Sequence, residues 1–280
     1  MKLNTKLVGI LNYTPDSFSD GGKFFNIDKA LQQVKYLIDG GASIIDIGAE
    51  STRPTYLYKQ YGNNSISQTE EWNRLKNVLP KTIEIAHSHN VQVSIDTRHA
   101  KTAEKAIELN VDYINDVSTL SDNNMLQVIQ NSSVNVIITH NLGIPLIKNV
   151  TIPKDRDPIN EIILWAKKCI EKLTNAGIDK KRIIIDPGIG FNKIASQSFY
   201  ILNNIERLKI LNHKIYVGHS RKFFLTSCTL NDSTRDNATL AISIFLFQKG
   251  IEFIRVHNTH LHNEALNLLR KMHQTSLDNI

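Results

Sequence analysis

Residues 7–22 read LVGILNYTPDSFSDGG. Leu7 to Leu11 form an apolar run long enough for one buried strand. The character then changes at Asn12 to a Thr-Pro-Asp turn, with Phe18 and Asp20 ahead of Gly21-Gly22. Pro15 and the glycine pair mark a loop that is more than a short connector. A polar amide at a strand exit, followed by a loop carrying Phe18 and Asp20, suits the holding and covering of a ligand. The plainer alternative is a strand followed by an ordinary turn.

The same unit recurs along the chain. Apolar runs fall at 7–11, 43–48, 91–95, 113–115, 134–138, 182–185, 214–217 and 253–256. Helical patterns lie between and after them, at 28–39, 68–89, 99–109, 123–130, 158–176, 198–211, 235–248 and 260–272. Gly40-Gly41 and Gly177 follow helices, and Asp157-Pro158 opens one. Apolar strands alternating with helices imply a parallel sheet covered on both faces. Eight unbroken units predict an α/β fold, a closed (β/α)8 TIM barrel, with residues 1–280 as one domain.

The strand ends carry a second pattern. They supply Asn12, Asp46 with Glu50-Ser51-Thr52-Arg53, Asp96, Asn115-Asp116, His140, Asp186, Ser220-Arg221-Lys222, and Arg255 with His257. Each is costly to bury without a partner. In a barrel all of them reach one rim, where sites of this fold are built. Asp46 and Asp116 also read as helix caps or satisfied core groups.

Bulk composition narrows the function classes. The 280 residues are 41% apolar, enough for a large core. A net charge of +6 is compatible with an anionic ligand or with a lysine-rich surface. No basic block interleaved with aromatics points to nucleic acid. Cys169 and Cys228 offer neither a disulfide framework nor a C-x-x-C site. The most apolar later stretch, 240–247, is far below membrane-spanning length. A soluble cytoplasmic protein without a membrane partner is expected.

Ile183 to Phe191, IIIDPGIGF, places Asp186 at a strand exit before a glycine-rich loop. With no third glycine it matches a dinucleotide fingerprint poorly. Asp186 is read as a ligand contact, with turn formation as the alternative. Ser220-Arg221-Lys222 and Arg255-Val256-His257 cluster cations where barrels often bind phosphate. Arg255 lies within a buried strand and needs an anionic partner there. His257, His260 and His262 do not by themselves establish metal geometry, because the last two begin a helix. Trp72 and Trp165 occupy helical positions and read as packing residues. Acceptors on one side of the rim and cations on the other suit a flat, donor-rich head with an anionic leaving group.

GILNYTPDSFSDGG, IDIGAESTRP, SIDT, NDVS, IIIDPGIGF, SRK and RVH together resemble the dihydropteroate synthase family, in its order and approximate spacing, over essentially the whole chain. The resemblance implies a (β/α)8 barrel, usually dimeric, that condenses 6-hydroxymethyl-7,8-dihydropterin diphosphate with p-aminobenzoate. It implies pterin contacts from Asp96, Asn115, Asp186 and Lys222. Asn12 would bind Mg2+ on the diphosphate, with Arg255 and His257 as anion contacts. Thr52, Arg53, Pro54, Phe191, Ser220, Lys222 and Phe18 match positions around p-aminobenzoate. Asp96, Lys222, Arg255, His257 and Asp20 would take part in catalysis, Asp20 from the first loop.

The chain departs from the family pattern at Ala49, Thr55, Thr139, Asn141 and His219. These departures bear on affinity and drug sensitivity rather than reaction class. The alternatives are a corrinoid-dependent pterin methyltransferase of related fold and a non-catalytic pterin-binding protein. The first has no need for SRK plus RVH, and the second has none for the full Asn12, Lys222, Arg255 and His257 set.

Overall fold

A computed structural model describes residues 4–14, 26–50, 65–144, 146, 147, 149–228 and 232–275. Eight parallel strands close on themselves in sequence order: β1 (Lys6–Asn12), β2 (Ile44–Gly48), β3 (Gln92–Asp96), β4 (Tyr113–Asp116), β5 (Asn135–Thr139), β6 (Ile183–Asp186), β7 (Lys214–Gly218) and β8 (Phe253–Val256). Pairing of β1 with β8, Val8 beside Arg255, completes the barrel. The expected (β/α)8 barrel is therefore the architecture observed.

The strand period of two divides each run between two cores. Odd and even positions of β6 illustrate this: Ile183 and Ile185 pack outward under the helices, while Ile184 joins the lumen. Val8, Ile44, Tyr113, Ile137, Ile184, Tyr216 and Phe253 together form an apolar lumen plug. Full burial of each contributes about 1.5–3 kcal/mol. Phe253 meets Tyr113 edge-on at 6.3 Å and Tyr216 at 6.2 Å. Two residues further along the strands, the same face carries Asp46, Asn115, Thr139, Asp186, Gly218 and Arg255. The plug is thus a dry floor beneath a polar rim.

The helices enclosing the barrel are α1 (Ile27–Asp39), α2 (Gln68–Leu75), α3 (Leu79–Ser88), α4 (Ala100–Glu108), α5 (Met125–Gln130), α6 (Pro158–Asn175), α7 (Ala195–Asn203), α8 (Asp232–Gln248) and α9 (Thr259–Gln274). Asn26 caps α1, accepting the Lys29 N–H, and Asp157 caps α6. The single helix expected over 68–89 is instead two. Pro80 stands in the first turn of α3, where its missing N–H costs nothing, but it cannot sit inside a continuous helix. The helix expected over 198–211 likewise ends at Asn203. A 3-10 segment, Ile205–Leu211, follows and stops at Asn212 in the left-handed region. Trp72 and Trp165 pack partly buried against the outer core, as their helical positions suggested.

The turn after β6 runs tightly under the end of β5. Gly188 has φ +67°, and a Cβ there would lie 2.0 Å from the His140 carbonyl oxygen. Glycine is required for both reasons. Gly188→Ala is expected to cost about 2–4 kcal/mol, combining backbone strain with displacement of a fixed carbonyl. Urea unfolding checks this, and an unchanged midpoint would mean that the turn is not held against β5.

Candidate active site

Arg255 sits at the centre of the rim. From β8 its Nε donates to Asp46 Oδ2 at 2.6 Å, and its Nη2 donates to Asp96 Oδ2 at 2.9 Å. Asp46 is fully buried and also accepts from Asn115 Nδ2 at 3.1 Å. One guanidinium thereby links the ends of β2, β3 and β8, and Asp46 extends the link to β4. The anionic partner that Arg255 needs is supplied by the protein's own carboxylates. Two of its five N–H donors are used in this way. Burial pushes the Asp96 carboxyl above its ordinary range, with Arg255 opposing and Asp46 adding to the rise.

Room for this arrangement comes from two glycines. A Cβ on Gly48 would lie 3.1 Å from Asp96 Cβ. One on Gly218 would fall 3.8 Å from Arg255 Cδ and 3.9 Å from Asp186 Oδ2. A side chain at Gly48 would press on Asp96, whereas one at Gly218 would meet Arg255 and Asp186 at ordinary contact distance.

Across the rim, Asp186 Oδ1 accepts the Gly188 N–H at 2.7 Å. The turn-forming reading of Asp186 is thus observed at this oxygen. Burial raises its pKa, and Lys222 is the largest opposing influence. Asn115 Oδ1 is buried and has no hydrogen-bond partner among the described residues. An acceptor in that condition is one that a donor-bearing ligand can satisfy.

Lys222 donates to the Ile189 carbonyl, and its ammonium lies 4.3 Å from the centre of the Phe191 ring. Burial lowers its pKa to about 8, with Asp186 opposing. Ser220, in the same turn, bonds His257 Nδ1 through its hydroxyl at 2.8 Å and accepts the His257 backbone N–H at 3.3 Å. Asn12 closes the ring at the end of β1, beside Gly48. The structure thus brings Asn12, Asp96, Asn115, Asp186, Phe191, Ser220, Lys222, Arg255 and His257 to one end of the barrel. Phe18, Asp20, Thr52, Arg53 and Pro54 lie outside the described residues.

Several contributors escaped the sequence reading. Asp46 looked like a satisfied core group and is instead the main partner of Arg255. Its spacing of two from Gly48, on the lumen face, was the available signal. Asp116 does behave as a satisfied turn group, accepting from Ser118 and Leu120 N–H groups. Arg98 grips Glu50 with both ends of its fork at 2.8 and 2.9 Å, and also donates to Ser65 Oγ at 2.8 Å. It joins the two stems of segment 51–64, and nothing in its local sequence announces that role. His260 and His262 bond the Tyr36 and Asn258 carbonyls, respectively. Among the described residues, no group of three or more His, Cys, Asp or Glu is placed to hold a metal.

The fold and rim define a (β/α)8 barrel that gathers acceptors and cations at one end of its strands. A family model described as "Pterin binding enzyme" matches residues 8–257. A curated dihydropteroate synthase of Clostridium beijerinckii is 39% identical, over 91% of this chain and 89% of that protein. The crystal structure of dihydropteroate synthase from Anaplasma phagocytophilum with bound 6-hydroxymethylpterin-monophosphate superposes with a TM-score of 0.86. It is 40% identical, covering 96% of this chain and 99% of that one. Dihydropteroate synthase from Xanthomonas albilineans in complex with 7,8-dihydropteroate gives a TM-score of 0.84 at 26% identity, covering 99% and 97%. The chain belongs to the dihydropteroate synthase family of pterin-binding enzymes.

The state of Lys222 sets a pH limit on the site. Its folded pKa lies below the ordinary lysine value, so the ammonium is present below about 8 and is lost as pH rises through it. Affinity for a pterin ligand is expected to fall across that interval, and Lys222→Arg should retain charge and flatten the fall. Calorimetric titration from pH 7 to 9.5 checks this. Constant wild-type affinity over that range would remove Lys222 from the ligand contacts.

Proposed function

We propose that this protein condenses 6-hydroxymethyl-7,8-dihydropterin diphosphate with p-aminobenzoate, giving 7,8-dihydropteroate and diphosphate. The observation that carries the proposal is the convergence of acceptors Asp96, Asn115 and Asp186 with the cations Lys222 and Arg255 on one rim. The acceptors suit the N–H groups of a pterin, and Lys222 suits its oxygen and nitrogen acceptors. The resemblance implies that the C–O bond to diphosphate breaks largely before attack, leaving positive charge on the pterin methylene carbon. The aryl amine lone pair then forms the C–N bond, and the amine passes one proton to water or the released diphosphate. Because the amine needs no strong base, the scarcity of an obvious general base at the rim is consistent with this chemistry.

Catalysis is then mainly electrostatic. Arg255 and His257 would oppose charge growing on the departing diphosphate. Asp96 would oppose positive charge growing on the pterin methylene carbon. Positioned and dry, such groups act without reorganising solvent. The first and second loops, with Phe18, Asp20, Thr52, Arg53 and Pro54, would enclose p-aminobenzoate beside Phe191, Ser220 and Lys222.

The donor set also fits Mg2+. Asn12, at the end of β1, offers an amide oxygen at the rim on the side of Gly48. Mg2+ typically takes one or two protein oxygens, with substrate phosphates and water completing its shell. Asn12 would hold it together with the diphosphate. When bound, the ion adds positive charge beside the leaving group. The resemblance further supports a homodimer acting in the cytoplasm on small molecules. A sulfonamide would compete at the p-aminobenzoate position. No described helix is long and apolar enough to cross a membrane.

Purified protein supplied with the pterin diphosphate, p-aminobenzoate and Mg2+ is expected to release diphosphate and form dihydropteroate together. His257→Ala should lower the rate by about 10²–10³-fold, as removal of one preorganised charge contact does. Its loss of affinity should be larger for diphosphate than for a pterin without diphosphate. Pterin binding without product would instead favour the non-catalytic reading.

A further inference from the structure

Beyond the rim lies a buried lysine whose ammonium makes three hydrogen bonds. Lys193 and His140 are both buried, at 8% and 3% exposure. Lysine almost never occupies such a position without partners. Here the Lys193 ammonium has three: Phe191 O at 2.9 Å, His140 O at 3.1 Å and His140 Nδ1 at 2.9 Å. An ammonium has three N–H donors, and each of these acceptors takes one.

The partners come from two elements. His140 stands at the end of β5, and Phe191 lies in the turn after β6. The same His140 carbonyl is the one that a Cβ on Gly188 would strike. A second tie runs parallel, because Asn192 Oδ1 accepts the Leu142 N–H at 3.2 Å. The far end of the turn, at Asn192 and Lys193, is therefore fastened across the end of β5.

That turn carries two features of the site. The Ile189 carbonyl receives the Lys222 ammonium, and the Phe191 ring lies under it. Displacing the turn moves the acceptor that aims Lys222 and the ring that supports it. Burial lowers the His140 pKa to about 2 and leaves a neutral ring, which frees Nδ1 to accept. With Nδ1 accepting, the ring proton belongs on Nε2. The His140 ring also stands edge-on to Trp165 at 5.1 Å, so its orientation is fixed from the outer side.

We infer that Lys193 is a positioning residue for the transfer reaction, pinning the 187–193 turn to β5 so that Ile189 and Phe191 hold Lys222 in place. This inference rests on the rim being the transferase site, and Lys193 itself touches no substrate. The pin acts on p-aminobenzoate through Phe191 and Lys222 and more weakly on the pterin, because Asp96 and Asn115 are held by Arg255 and Asp46 independently of the turn.

Two measurements test it. Nitrogen-15 NMR of the wild type is expected to show His140 protonated at Nε2, with Nδ1 accepting a hydrogen bond. In Lys193→Met, kcat/KM for p-aminobenzoate should fall on the order of 10²-fold, the cost of displacing a positioned group by about 1 Å. The KM for the pterin diphosphate should rise too, but by less, because Asp96 and Asn115 keep their places. Lys193→Gln, which retains two donors, substitutes for the Met variant if that one does not fold, and it should show the same split. A wild-type His140 carrying its proton on Nδ1 would overturn the inference, as would a folded variant with unchanged kinetics for p-aminobenzoate. A wild-type protein that forms no dihydropteroate would count against the transferase reading instead, and the His140 measurement would still decide whether the pin exists.

Discussion

The buried contact of Arg255 with Asp46 and Asp96 is the constraint on which the rest of the rim depends. A guanidinium inside a barrel is unfavourable unless anions and hydrogen-bond acceptors surround it. Asp46 and Asp96 meet that need from β2 and β3, with N···O distances of 2.6 and 2.9 Å. The apolar plug of Tyr113, Tyr216 and Phe253 beneath them lowers the local polarizability and strengthens the attraction. The carboxylates in turn repel one another, and burial raises the Asp96 pKa. Neither the cation nor the anions would be stable at this depth alone. Their mutual dependence fixes the heights of β2, β3 and β8 relative to one another.

A similar opposition organises the other side. Asp186 and Lys222 are each pushed toward neutrality by burial, and each holds the other charged. The rim therefore presents alternating acceptor and donor groups around a flat opening. Under the proposed function, such an arrangement would pair with the edge of a pterin and stabilise charge separating during transfer, both without moving far. The turn held by Lys193 and the Arg98–Glu50 pair at the stems of segment 51–64 are supports for this geometry.

Much of this was legible in the chain. Each strand announces itself as an apolar run that ends in a residue too costly to bury unpaired, and the observed strands begin and end within two residues of those runs. Eight such endings at one rim pointed to the site before any contact was known. Helix ends were less legible, because Pro80 splits 68–89 at a place where the apolar period continues. The partnerships were least legible of all. Asp46 reads like any buried polar residue until Arg255 is placed 209 positions away in sequence. Nothing in the local sequence sets Lys193 apart, since only the crossing of two turns encloses it. Residue type and period reveal which groups reach the rim, whereas long-range pairing decides what each one does there.

The central claim is that Arg255 and Asp46 stabilise each other as a buried pair. A double-mutant cycle with Asp46→Asn and Arg255→Met, read by urea unfolding, tests it most directly. Each single change is expected to cost about 3–5 kcal/mol, because it strands the remaining partner. The double variant should then lose at least about 2 kcal/mol less than the sum of the two. Additive losses would contradict the account, since they would mean that the guanidinium and the carboxylate do not depend on one another.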